Sequence, residues 1–168
     1  MSVNPIPAGY HSVTPYLIVD GADAAIRFYE KAFGATEVMR MPMGDRIAHA
    51  EIRIGDSHVM LADENPDQGH LGPISRGGAT GSLMIYLPDV DAVFARAVAA
   101  GATAQQAPTD QFWGDRMGVL EDPFGHQWSL ATHVEDVAPE VGAHRGAVTV
   151  RLPRRIERAR LAQKCGTT

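Results

Sequence analysis

Two side chains that can exchange protons, His49 and Glu51, stand two positions apart in the segment H-A-E-I-R-I. Residues two apart on a β-strand point to the same face, so a strand here would bring the imidazole and the carboxylate within reach of one ligand. A carboxylate that lines an apolar cavity tends to have a raised proton affinity. Glu51 is therefore a candidate general base, with His49 as the alternative.

Arg116 is a further candidate, because a guanidinium can hold a carboxylate or a phosphate through two parallel hydrogen bonds. An ordinary ion pair with the adjacent Asp115 is the alternative. Aromatic residues could supply flat apolar walls around the same ligand. They are Tyr16, Tyr86, Phe112 and Trp113. Phe112 and Trp113 are equally typical of a core or a dimer interface.

The acid–base pair also has structural interpretations. Glu51 and Arg53 could pair across to His58 near a hairpin tip in solvent, and His49 could be a structural histidine. A replacement metal site made from His49, Glu51 and another histidine is a further alternative. The secondary structure that carries these residues must distinguish between the interpretations.

The chain carries the same order of secondary-structure signals twice. In the first copy, a stretch rich in β-formers at 13–19 precedes apolar residues at helical spacing in 23–33, and Gly34 supplies a stop. Three extended stretches follow, at 35–41, 46–54 and 57–63.

In the second copy, a strand at 82–87 precedes a helix that Asp89 caps and Gly101 ends. Three strands follow, at 103–107, 116–121 and 126–133. Thr14 and Ser82 hold matching positions 68 residues apart, which indicates a duplicated βαβββ unit.

These signals predict an α+β fold in which two tandem βαβββ modules form a cupped mixed sheet with helices outside and a cavity inside. The segment between the modules is rich in Gly, Pro, Asn and Asp, as is typical of a linker. The predicted parts are an N-terminal extension at 1–11, a first module at 12–63, a linker at 64–81, a second module at 82–134, and a basic C-terminal tail at 135–168.

Strand alternation predicts which side chains of the first module face the cup. The Gly55-Asp56 turn makes Glu51 oppose Met60 and Arg53 oppose His58, on the same face as His49. The other face carries only apolar residues and must pack on the helix. Its predicted members are Ala48, Ala50, Ile52, Ile54, Val59 and Leu61.

The same reasoning predicts the faces of the second module. Trp128 and Leu130 are expected to join Met117 and Val119 on the helix side. The cup side is expected to hold Arg116, Gly118, Leu120, Gln127, Ser129 and Ala131. From the opening strands, the side chains expected to point inward are Thr14, Tyr16, Ile18, Ser82, Met84 and Tyr86.

Composition excludes several classes of function. Residues 1–138 hold 8 Lys+Arg and 18 Asp+Glu, so an acidic body argues against nucleic acid as a partner. No apolar run is long enough to cross a membrane, and the first residues do not resemble a signal peptide, so a cytoplasmic location is expected. Residues 139–168 hold 7 Lys+Arg and 2 Asp+Glu. This composition favours a solvated, disordered tail over one that binds an anion or an acidic surface.

Several strings, taken in order, resemble the PhnB-like branch of the vicinal-oxygen-chelate (glyoxalase/bleomycin-resistance/dioxygenase) superfamily. They are V-T-P-Y-L-I-V-D, A-A-I-R-F-Y-E-K-A-F-G-A, H-A-E-I-R-I-G-D-S-H-V-M-L-A-D, D-Q-F-W-G-D-R-M-G and D-P-F-G-H-Q-W-S-L-A-T-H, within residues 9–137. The resemblance implies a homodimer, with exchange of halves as one form. The basic tail is not part of this resemblance, so the resemblance implies nothing about the tail.

The resemblance also implies where a metal would bind. Members that use a metal hold it with His, Gln or Glu, and the matching positions here are Thr14, Met60, Ser82 and Ser129. None of these side chains is a competent ligand for a divalent cation. We therefore expect no metal, no other cofactor, and no Lewis-acid enolate chemistry.

Three functions agree with this sequence. The first is a protein that binds a small aromatic or amphipathic molecule in the cup, with Tyr16, Met60, Ser82, Tyr86, Phe112, Trp113, Gln127 and Ser129 as contacts. The second is a lyase- or isomerase-like enzyme that uses Glu51 or His49 as base and Arg116 as anion clamp. The third is a regulatory or assembly partner that docks through its basic tail.

Overall fold

A computed structural model describes residues 3–138, 140 and 141, so most of the predicted basic tail lies outside the described residues. The first module has one helix and four strands: β1 (Tyr16–Val19), α1 (Ala22–Phe33), β2 (Thr36–Met43), β3 (Arg46–Ile54) and β4 (Ser57–Asp63). The strand order is β1-β4-β3-β2, with β1 parallel to β4 and the other pairs antiparallel.

The second module repeats this topology. Its elements are β5 (Ser82–Tyr86), α3 (Val90–Ala99), β6 (Thr103–Asp110), β7 (Asp115–Glu121) and β8 (Gln127–His133), in the order β5-β8-β7-β6. The segment between the modules contains a 3-10 turn at Pro66–Gln68 and a short helix, α2 (Pro73–Arg76). The predicted α+β fold of two tandem βαβββ modules is confirmed.

Side-chain caps fix where the two long helices begin. The carboxylate of Asp63, at the end of β4, accepts hydrogen bonds from the backbone N–H groups of Gly21 and Ala22, and from that of Ile47. Asp89 caps α3 by accepting from the N–H of Ala92, as the sequence predicts. These bonds satisfy N–H groups that have no partner within a helix.

A single apolar core joins the two modules. Tyr29 and Phe33 of α1 lie against the indole of Trp128 on β8, with ring centroids 5.4 and 4.9 Å away. Arg96 of α3 donates to the backbone carbonyl of Ala32 in α1. None of the helices in the described part of the chain is both long and apolar enough to span a membrane. The cytoplasmic location stays a prediction.

The face of each sheet away from its helix is called the inner face below. In the first module, the predicted pairs Glu51–Met60 and Arg53–His58 are confirmed. The prediction for Ala48 is wrong. An irregularity in the β2–β3 pairing between Met41 and Pro42 shifts the alternation, so that Ile47 is buried and Ala48 is exposed.

The predicted faces of β7 are wrong by one residue. Trp128 pairs with Leu120, and Leu130 pairs with Gly118, so these residues share the helix side. The turn is one residue longer than the sequence suggested, because the N–H of Asp122 bonds to the carbonyl of His126. Met117 and Val119 therefore lie on the inner face, and Arg116 lies on the helix side.

Candidate functional site

A chain of hydrogen bonds crosses the inner face of the first sheet. The hydroxyl of Tyr16 lies 2.9 Å from Nδ1 of His49, and Nε2 of His49 lies 3.2 Å from Oε1 of Glu51. The hydroxyl of Tyr10 donates to Oε2 of Glu51. Three of the predicted site residues are thus brought together, and one residue that the sequence analysis did not single out completes the chain.

The hydrogen-bond network assigns the proton of neutral His49 to one nitrogen. With the proton on Nε2, the imidazole donates to Glu51, and Nδ1 is left to accept from the hydroxyl of Tyr16. The arrangement can therefore pass a proton between Tyr16 and His49.

The pKa of Glu51 departs from the sequence expectation. Its side chain is buried, which acts to raise the pKa, but the hydrogen bond from Tyr10 has the larger effect, and His49 adds to it. The pKa of Glu51 is therefore lowered, and the expected rise in proton affinity is wrong. Burial raises the pKa of Tyr16, and the charge of Glu51 raises it further.

Methionine side chains surround this hydrogen-bonded chain. Met39 lies directly opposite Glu51 on the neighbouring strand, Met41 lies opposite His49, and Met60 lies opposite Glu51 on the other side. Met39 and Met41 are 38% and 53% exposed. The inner face of the first sheet thus combines a shielded acid–base pair with an open, polarisable apolar surface.

Two cavities adjoin Tyr16. The larger, about 860 Å³, lies between the inner face and the linker. Its lining includes Ile18, Met43, Arg46, Asp67 and His70. The smaller, about 370 Å³, lies where β1 approaches β5, and Ser82 contributes to its lining. Of the predicted contact residues, Ser82 and Tyr16 therefore share one cavity.

Arg116 has no part in this site. Its guanidinium forms two hydrogen bonds with Asp91 of α3, at 2.6 and 2.8 Å, and a third with Asp110 at 2.9 Å. These carboxylates, Asp91 first, raise its pKa above the usual value. The register of β7 places the side chain of Arg116 on the helix side. The expected position in the cup is therefore wrong, and Arg116 does not lie where an anion clamp in the cup would have to be. The alternative pairing with Asp115 is not formed among the contacts of the described residues.

The inner face of the second sheet holds a separate polar cluster around Asp115. This buried carboxylate accepts from the hydroxyl of Tyr86 (3.0 Å) and from Nε1 of Trp113 (2.9 Å), and lies 2.8 Å from Nδ1 of His133. Burial acts to raise the pKa of Asp115, but these three partners together lower it. Tyr86 and Trp113 are thus brought together by a residue that the sequence analysis considered only as a partner of Arg116.

Other predicted contacts lie near this cluster. Phe112 meets Trp113 edge-on, with ring centroids 4.9 Å apart. Gln127 and Ser129 alternate with buried Trp128 on β8 and are partly exposed. The pKa of His133 is raised, first by Asp136 and then by Asp115. Only the residue types could have indicated this cluster, because its members come from three segments that are far apart in the sequence.

The four positions that the resemblance implies as metal ligands do not fit a metal here. Thr14, Ser82 and Ser129 offer neutral hydroxyls, and Met60 offers a thioether, none of which suits a hard or borderline divalent cation. Within the described residues, no group of three or more His, Cys, Asp or Glu side chains is arranged to hold a metal ion. The pair of His49 and Glu51 therefore lacks a third ligand of those types.

Two βαβββ modules of the same topology, each with an open inner face, define a tandem-module α+β protein. The family model of the Glyoxalase/Bleomycin resistance protein/Dioxygenase superfamily matches residues 9–130, and the chain belongs to this superfamily.

Relatives and solved structures agree with this membership. An uncharacterized protein of Mycobacterium bovis, Mb0911c, is 45% identical over 82% of this chain and 90% of its own length. The crystal structure of TioX from Micromonospora sp. ML1 is similar with a TM-score of 0.59 and 25% identity, over 76% of this chain and all of that one. A PhnB protein from Bacillus cereus shares the fold with a TM-score of 0.57 and 18% identity, over 73% of this chain and 99% of that one.

Proposed function

We propose that this protein binds a small, flat, amphipathic organic molecule on the inner face of the first sheet, without the metal of the superfamily's metal-dependent members. One observation carries the proposal: Met39, Met41 and Tyr16 are exposed on that face, around the His49–Glu51 pair. Exposed apolar patches with a polar centre mark binding sites.

The chemistry of the lining favours an aromatic ligand. Methionine is flexible and polarisable, so it adapts to flat rings of different shape and makes favourable sulfur–aromatic contacts. Tyr16 can stack on such a ring, and the hydrogen-bonded His49 can meet a polar substituent. Bleomycin, after which the superfamily is partly named, is larger than the ligand proposed here and serves as a comparison compound.

A thermal-shift screen with naphthalene carboxylates and bleomycin tests the proposal. A compound present at 100 times its dissociation constant adds about 2.7 kcal/mol of stability. The substitution Met41→Ala is expected to weaken binding of any such compound. Val98→Ala, which shortens an exposed apolar side chain on α3, is the matched control and leaves binding unchanged. Equal loss in both variants, or no stabilising compound, contradicts the proposal.

Elemental analysis of the purified protein tests the second half of the proposal. We expect far less than one bound metal ion per chain, and no change in melting temperature after treatment with EDTA. A stoichiometric metal that EDTA removes with a loss of stability would show that other side chains have replaced the missing ligands.

A lyase- or isomerase-like activity is the second candidate, and the hydrogen-bonded chain from Tyr16 to Glu51 favours it. In this candidate the oxygen of the half-exposed Tyr16 takes the acidic C–H proton of the substrate as its own hydroxyl proton moves to Nδ1 of His49, whose other nitrogen faces Glu51. The reverse transfers return a proton from Tyr16 to the substrate and restore the neutral imidazole. Solvent deuterium entering the acidic C–H bond of an aryl methyl ketone, added to the screen for this purpose, would reveal it. That exchange must be lost in Glu51→Gln while binding persists.

A further inference from the structure

The N-terminal segment brings an unexpected side chain, Tyr10, onto the inner face of the first sheet. The chain turns there, with the N–H of Tyr10 bonded to the carbonyl of Pro7. The ring of Tyr10 stacks on the imidazole of His58 with centroids 4.1 Å apart and planes 15° from parallel. Nδ1 of His58 also lies 2.9 Å from the carbonyl oxygen of Gly9. These contacts fix the phenol of Tyr10 against the sheet.

The position of Tyr10 divides the two oxygens of Glu51 between two partners. Its hydroxyl donates to Oε2, and Oε1 is left for Nε2 of His49 at 3.2 Å. Glu51 is only 8% exposed, so water has little access to either oxygen. Without the phenol, Oε2 would be a buried acceptor with no donor among the described residues, and the carboxyl group could relieve this by rotating or by binding a proton.

We propose that Tyr10 is a positioning residue for the site: it holds Glu51 with Oε1 directed at His49, and so fixes the neutral imidazole with its proton on Nε2. Nδ1 of His49 is then always an acceptor for Tyr16, the residue that would meet the ligand. The inference rests on the proposed function only for that last step, because the orientation of Glu51 and His49 exists without a ligand.

The electrostatics of the group agree with this role. The hydrogen bond from Tyr10 is the largest single cause of the lowered pKa of Glu51, ahead of the contributions of His49 and His58. In return, the same bond raises the pKa of Tyr10, so the phenol stays a donor at neutral pH. Arg53 lies opposite His58 on the same face.

NMR spectroscopy of the full chain tests the inference through two signals. In the wild type, the side-chain nitrogens of His49 are expected to report the Nε2–H tautomer, and the carboxyl carbon of Glu51 to titrate below its usual range. The substitution Tyr10→Phe keeps the stacked ring and removes the donor. It should shift the titration midpoint of Glu51 upward and lower the Nε2–H population of His49.

Tyr86→Phe is the matched control, because it removes a phenol that donates to a carboxylate on the other sheet. It is expected to leave both signals unchanged. Unchanged signals in Tyr10→Phe, or an Nδ1–H tautomer in the wild type, would overturn the inference. Neither result depends on a ligand, so failure of the proposed function is recognised separately, as the absence of any stabilising compound from the screen.

Discussion

Tyr29 of the first module donates its hydroxyl hydrogen bond to Asp122 of the second, over 2.7 Å in the interior of the protein. The same carboxyl oxygen accepts from Nε1 of Trp128, and the other oxygen accepts from the N–H groups of Phe124 and His126. Asp122 is only 3% exposed. One buried carboxylate thus organises the turn before β8 and ties that turn to α1.

Removing the hydroxyl in Tyr29→Phe is expected to lower the free energy of unfolding by about 1 to 2 kcal/mol, because Asp122 loses one donor and keeps three. Asp122→Ala should cost more, since it leaves four donors without their acceptor. Urea denaturation measures both. Tyr86→Phe is the control: its hydroxyl also donates to a buried carboxylate, Asp115, but within one module and from an exposed ring, so a smaller effect is expected. Equal effects of the two phenylalanine variants would contradict the role of Asp122 as a link between the modules.

The register of β7 leads to a second prediction, at Gly118. A Cβ atom there would lie 2.9 Å from the ring of Phe94 on α3 and 3.1 Å from the carbonyl oxygen of Gln106. Gly118→Ala is therefore expected to cost about 1 to 3 kcal/mol of stability by overpacking. Gly81→Ala, where a Cβ has no neighbour within 4 Å, is the control and should be tolerated. A stable Gly118→Ala variant would favour the register predicted from the sequence.

The two hairpins explain how much of the fold the sequence could predict. The β3–β4 turn has two residues, which determines its register, and the pairing of Glu51 with Met60 followed directly. The turn before β8 closes through His126 instead of ending at Gly125, and one extra residue reverses the face of every side chain on β7. Alternation alone cannot detect such a change, so Arg116 was assigned to the wrong side.

The site itself was predicted only in part, for a related reason. His49 and Glu51 lie on β3 and Tyr16 lies on β1, on either side of β4, and strand alternation alone predicts that all three face inward. Tyr10 lies before β1 in a segment without periodicity, and its contact with Glu51 spans 41 positions. Nothing in a single sequence relates two such residues. The pKa of Glu51 depends on that contact, and the expected direction was therefore wrong as well.

The pH dependence of stability is expected to depend on His133. Its pKa is raised by Asp136 and Asp115, so its contribution is fully present below the pKa of an unfolded histidine and is lost as the pH rises through the raised value. Asp115 acts in the opposite direction, because its pKa is lowered and its contribution disappears on acidification. Thermal unfolding at pH 5.5 and at pH 8.5 should therefore separate His133→Gln from the wild type more at the lower pH. A difference that grows with pH would contradict this assignment.

Self-association is the last prediction, and the inner face of the second sheet provides its physical basis. Met84 and Tyr86 on the second sheet are 47% and 61% exposed. Apolar surface of this extent is usually covered in a stable protein, and a second copy presents a surface of the same chemistry. We therefore expect sedimentation to give a dimer with twice the chain mass of 18.1 kDa.

A charge in Met84→Glu would have to be buried in that interface without a partner, so this variant should sediment as a monomer. Val98→Glu places the same charge on α3, outside both inner faces, and should remain a dimer. A monomeric wild type, or an equal effect of the two charges, would contradict a dimer formed through the second sheet.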